Sequence, residues 1–146
     1  MQDDLLPSHL CTALMRIGTR LATVFDQQFR RFGLTQAQFR LLLAICEAGE
    51  AGVTPSVLAD QLLIERAAVS VLTNRLVERG WLARQPGANR RTFFLVLTDE
   101  GMASLQEALP HAVALADETL AGSHRDELRG TLALLDQLET HLREKE

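Results

Sequence analysis

The sequence predicts a mainly α-helical fold with a small β-hairpin, and three observations carry that expectation. Stretches near both ends repeat apolar residues every three or four positions. Two short helical segments follow one another closely in the middle, and two strand-like runs flank a turn sequence just after them. With 146 residues and 47% apolar content the chain can bury one compact core.

The first element runs from Ser8 to Phe32, where Leu10, Leu14, Ile17, Leu21, Val24, Phe25 and Phe32 keep a three-four spacing. Pro7 and Ser8 mark its start, with Ser8 as the expected N-cap, and Gly33 its end. Thr35 should cap a second helix reaching about Glu47, closed by "EAGEAG". Thr54 and Pro55 then give a strong start signal for a short third helix. A fourth, "RAAVSVLTNRLVERG", sets Val69, Leu72, Leu76 and Val77 on one apolar face and stops at Gly80. Two short helices joined by a tight turn, the second with polar and basic residues outward, form a helix-turn-helix pattern.

"WLARQ" and "TFFLVLT" flank "PGAN", the turn chemistry of a hairpin, and a hairpin placed after such a helix is a wing. Thr98 should cap a long helix that Pro110 bends or splits near Leu109. A last helix begins near Ser123 and lines up Leu128, Leu132, Leu135, Leu138 and Leu142. The organisation expected is one chain, 1–146, with a winged helix-turn-helix part at 35–98 and dimerisation helices at 8–32 and 99–146. The end helices carry more apolar surface than so small a core covers, hence the expected homodimer.

Charge is distributed unevenly. The net charge is -4, yet residues 54–98 hold six arginines against three carboxylates, whereas residues 99–146 hold four basic residues against eleven acidic ones. The positive field lies where the helix pair and hairpin lie, the place to meet a polyanion. A helix of this kind fits the DNA major groove, and Arg66, Ala67, Ala68, Ser70, Asn74 and Arg75 are the candidates to reach it, with Val71 among them by position. Ser56 joins the list from the preceding helix. Arg90 and Arg91, at the hairpin tip, are candidates for the narrow minor groove.

Several classes are disfavoured. No run of about 18 uncharged apolar residues is present, and "QDDLLPSH" after Met1 lacks the form of a secretory signal, so the expected location is cytoplasmic, with no membrane partner. Cys11 and Cys46 have no zinc or disulfide spacing, so no metal and no cofactor is expected. His9, His111, His124 and His141 are scattered, and no nucleophile-base set or phosphate loop can be read, so no enzyme is expected. A winged helix that binds protein instead of DNA stays open as an alternative.

"LTQAQFRLLLAI", "TPSVLADQL", "AAVSVLTNRLVERGWLAR" and "NRRTFFLVLTDEG" together resemble the MarR family of winged-helix transcriptional regulators, in order and over nearly the whole chain. The last block is the most specific, because the family's wing reads Asp-x-Arg, an apolar strand, then Leu-Thr-x-x-Gly. The resemblance implies a homodimer built from both chain ends, a pseudo-palindromic double-stranded DNA operator, and repression relieved by a small-molecule effector bound between the dimerisation helices and the winged part. It places the wing arginine on Arg91. Asn89 stands where the family has an aspartate that pairs with arginine, so this wing should be held by neutral hydrogen bonds at most and be more mobile. Val71 stands where a basic residue is common, and Asn74 replaces the aspartate before Arg75.

The effector is not legible, although Arg16, His9 and His111 could line the cleft. Cys11 is a further candidate. With Ser8 as cap it would occupy the third helical position, where helix dipole and free amides favour a thiolate, and "HLCTAL" resembles the hydroperoxide-sensing branch of the same family. That branch holds its cysteine with tyrosines, of which this chain has none. The alternative is a small buried apolar residue, and Cys46 is read as core.

Overall fold

The computed structural model describes residues 3–146. Six α-helices and one hairpin follow in the order α1 (Leu6–Phe29), α2 (Gln36–Ala48), α3 (Pro55–Leu62), α4 (Arg66–Glu78), β1 (Leu82–Pro86), β2 (Phe93–Leu97), α5 (Asp99–Thr119) and α6 (Arg125–Arg143). The chain divides into two compact units, one through Ala112 and one from Val113 to Glu146. The predicted mainly helical fold with a wing is what forms.

In the first unit the core is Phe29, Leu34, Phe39, Leu41, Leu42, Ile45, Val53, Leu58, Val69, Leu76, Leu82, Leu95 and Leu105, with smaller residues between them. Phe29 and Phe39 stack with ring centroids 4.3 Å apart, joining α1 to α2. The start of α2 is heavily specified. Thr35 and Gln38 close a reciprocal capping box, with bonds of 3.0 and 3.1 Å, while Asp26 of α1 accepts from the Gln36 amide at 2.5 Å. Thr54 caps α3 by accepting from Val57 at 3.3 Å.

The turn from α3 to α4 is tight because Leu63 takes the left-handed conformation, φ 54° and ψ 47°. For a leucine this costs about 1–2 kcal/mol, which the flanking helices hold in place. The hairpin pairs Leu82 with Leu97 and Arg84 with Leu95. Val53 adds a third, single-residue edge, exchanging two backbone bonds with Leu95. Gly52 makes that approach possible, since a Cβ there would lie 2.9 Å from the Leu95 carbonyl oxygen.

Three expectations need correction. The first helix starts at Leu6, with Leu5 as N-cap and Pro7 inside the first turn, so Ser8 is not the cap. Its carbonyl instead accepts from the Thr12 hydroxyl one turn on. A proline early in a helix removes no bond the helix would have made, so Pro7 is tolerated at the second helical position and not, as expected, ahead of the helix. Likewise, α5 runs through Pro110 without splitting. Leu105, Ala108 and Ala112 on its buried face anchor the turns on either side, and that packing outweighs one lost backbone bond. The last helix starts at Arg125, two residues later than read, with His124 as a cap position that makes no side-chain bond.

Candidate nucleic-acid interface

Helix α4 buries Val69, Thr73 and Leu76 and exposes the opposite side. At 3.6 residues per turn this leaves Arg66, Ala67, Ser70, Val71, Asn74 and Arg75 facing solvent, and all six are exposed. Ala68 is exposed at the margin of that face. Thr73 is the residue sequence reading missed: its hydroxyl turns back to the Ser70 carbonyl at 3.2 Å, so a polar side chain can sit in the core. Val71, more than half exposed at 54%, lies at the centre of the outward face.

The three parts of the site meet around a cleft of about 310 Å³. Ser56 comes from α3, Arg66 and Ser70 from α4, and Arg91 with Thr92 and Phe93 from the wing. Arg75, Ala67 and Ala68 lie farther round α4, and Arg90 stands at the hairpin tip; none of these lines the cleft. All six arginines between residues 54 and 98 are exposed. Among the described residues, ion pairs within 4.0 Å occur only in α6, Arg129 with Asp126 and Arg143 with Glu139. The arginines of this region therefore hold no carboxylate that a polyanion would have to displace.

The wing tip is braced by Asn89. Its side-chain oxygen accepts from the Arg91 amide at 2.9 Å and from the Thr92 hydroxyl at 2.6 Å, while Gly87 N–H donates to the Thr92 carbonyl. Two neutral bonds thus stand at the tip where the pattern this sequence resembles has an ion pair. The base of the wing is tied more firmly. Thr98 Oγ1 donates to the Gly80 carbonyl at 2.6 Å and accepts from the Gly101 amide at 3.1 Å, so one hydroxyl joins the end of α4 to the start of α5.

Two arginines escaped the sequence reading except as charge. Arg79 donates to the Gly33 carbonyl at 2.7 Å and stacks on Trp81 at 3.7 Å, pinning the turn after α1 to the base of the wing. Arg84 crosses from β1 to the outward face of α4 and donates to the Asn74 side-chain oxygen. The spacing Arg-Gly-Trp could have suggested the first; nothing local signals the second, which depends on the fold.

A second cleft, about 300 Å³, lies between α1 and α2 and is lined by Gly18, Leu21, Ala22, Phe25, Phe29, Gln36, Phe39 and Arg40. Arg16, His9 and His111 do not line it, and His111 instead packs on Phe32 with centroids 4.8 Å apart. Cys11, the sixth residue of α1, is exposed, so neither the third helical position nor burial describes it. The dipole acts over the first turn, so that basis for a thiolate is lost. Cys46 is half-buried against the core, 4.0 Å from the Met102 sulfur.

A solvent-facing helix following a shorter one, with a basic hairpin beside it, defines a winged helix-turn-helix fold. The MarR family model matches residues 32–91. The HTH-type transcriptional regulator PecS of Dickeya dadantii is 27% identical over 95% of this chain and 85% of its own. A Mycobacterium tuberculosis transcriptional regulator, MOSR, solved in complex with DNA, superposes with a TM-score of 0.72 at 28% identity, over 91% of this chain and 97% of that one. CouR of Rhodococcus jostii, solved with p-coumaroyl-CoA, shares the fold with a TM-score of 0.80 at 21% identity, over 88% and 90% of the two chains. The chain is similar in sequence and fold to MarR-type winged-helix transcriptional regulators.

Proposed function

We propose that this regulator binds a pseudo-palindromic operator as a homodimer and represses transcription until a small ligand releases it. The observation that carries the reading is the convergence of Ser56, Arg66, Ser70 and Arg91 on one cleft, with every arginine there free of a carboxylate partner. In this reading α4 enters the major groove with Ala67, Ala68, Ser70, Asn74 and Arg75. Arg90 and Arg91 follow the adjacent minor groove, and Ser56 and Arg66 meet the phosphate between them.

The dimer is supported by apolar side chains left in water. Leu6, Leu10, Ile17, Leu21 and Val24 of α1 are exposed, as are Leu132, Leu135 and Leu142 of α6. Such stripes need a partner, and a second copy offers the same stripes in return. The α1–α2 cleft, walled by Leu21, Phe25, Phe29 and Phe39 with Gln36 and Arg40 as polar groups, suits an aromatic ligand bearing an anionic group. CouR, which shares the fold, is itself solved with p-coumaroyl-CoA.

Fluorescence anisotropy with promoter fragments flanking the gene, titrated with salt, tests the reading. Phosphate contacts make log Kd vary with log salt by roughly 0.9 per contact. Arg91→Ala should weaken binding by about 1–3 kcal/mol with the dimer intact by ultracentrifugation. A salt-independent complex, or unchanged affinity in Arg91→Ala, would overturn it.

A further inference from the structure

We propose that Arg84 sets which base Asn74 reads, by holding the amide oxygen so that only the amide's hydrogens face the DNA. The proposal rests on α4 being the recognition helix. Asn74 lies on its exposed face one turn beyond Ser70. Arg84 reaches it from β1, where it is paired with Leu95 across the hairpin. Phe93, two residues from Leu95 and diagonal to Arg84, lies with its ring centroid 5.4 Å from the guanidinium carbon and supports the arginine from below.

The chemistry follows from the donor inventory. A guanidinium has five donors and no acceptor, so the atom of Asn74 that it touches must be the oxygen. The orientation of this amide is thus fixed by its partner. An unrestrained asparagine reads adenine by two bonds, accepting from N6 and donating to N7. Here one lone pair of the acceptor oxygen is taken by a cation, whose positive charge disfavours a second N–H donor such as the N6 amino group. What remains is a pair of N–H donors, which suit bases that offer acceptors in the major groove: guanine through O6 and N7, or thymine through O4. Arg84 has no carboxylate partner, so its full charge acts on the amide. It is a positioning residue that selects a base it need not touch.

Selection of bound duplexes from a randomised pool, with wild type, Arg84→Met, Asn74→Ala and the double variant, tests this. Arg84 and Asn74 are both exposed, so folding should survive, and circular dichroism checks it. Wild type should enrich guanine or thymine at one position of each half-site. Arg84→Met should turn that position toward adenine by on the order of tenfold in relative affinity, the scale of one good base contact. Asn74→Ala should flatten the position, and the double variant should match it. Arg84→Lys, which keeps a cationic donor, should keep the wild-type preference. If Arg84→Met binds more weakly with an unchanged base profile, or if wild type already selects adenine there, the proposal is overturned while the recognition-helix reading stands. A wild-type protein that enriches no sequence at any position overturns both.

Discussion

Replacing Gly101 with alanine should destabilise the protein by about 3 kcal/mol, because the first turn of α5 lies directly on the backbone of Trp81. A Cβ at Gly101 would sit 2.0 Å from the Trp81 carbonyl oxygen and 2.9 Å from its carbonyl carbon. An ordinary carbon-oxygen contact is about 3.3 Å, so α5 must retreat by more than about 1 Å. Both surfaces are main chain, and neither has a rotamer to move. Overpacking of this kind costs roughly 1–3 kcal/mol. The same retreat stretches the two bonds of the Thr98 hydroxyl, at 2.6 and 3.1 Å, each contributing about 0.5–1.5 kcal/mol. Against this, alanine improves helix propensity by about 1 kcal/mol. Gly130 is the control: it too is inside a helix, but a Cβ there meets nothing within 4 Å, so Gly130→Ala should be neutral or stabilising by up to about 1 kcal/mol. Urea unfolding at equal protein concentration reads both, with a slope near 2 kcal/mol/M turning the Gly101 penalty into a midpoint drop of about 1–2 M. If Gly101→Ala unfolds within about 0.5 kcal/mol of wild type, the close approach that ties wing to helix is not there.

Removing the acceptor of the wing tip with Asn89→Ala should lower DNA affinity severalfold in an anisotropy titration while shifting the urea midpoint little, since water can replace an exposed bond worth about 0.5–1.5 kcal/mol. Arg79→Ala should cost about 1–2 kcal/mol in the same unfolding assay, through the lost bond to Gly33 and the lost stack on Trp81. Leu63→Gly should be neutral or stabilise by up to about 1 kcal/mol, relief of a left-handed leucine being partly offset by the freer unfolded chain. Because Cys11 lies beyond the first turn of α1, an organic hydroperoxide should release DNA from wild type and Cys11→Ser to the same extent. A clear difference in gel shift would restore that cysteine as a sensor.

Where α2 and α3 begin was legible because the signals are local. Thr35 with Gln38, and Thr54 with Pro55, state their helices within four residues, and Gly33 and Gly80 end theirs by a backbone angle few others accept. The outward face of α4 followed from its period alone. What escaped depends on contacts between distant residues. Pro110 reads as a bend or a break, and that the helix runs on unsplit is seen only once Leu105, Ala108 and Ala112 are found to anchor it. Arg84 reads as one more charge on a strand until the fold brings it to Asn74. Ser8 was misplaced for a different reason: a proline marks a helix start only to within a position or two.

Asn89 carries a consequence for the conditions under which the regulator can work. A carboxylate that braces a loop lets go when it takes up a proton, at around pH 4 for an ordinary aspartate. The amide of Asn89 has no such proton to take up, and its two bonds come from a backbone N–H and a hydroxyl, groups that do not titrate there either. The tip that presents Arg90 and Arg91 therefore keeps its shape through acidification. Any loss of DNA binding at low pH must begin elsewhere in the chain.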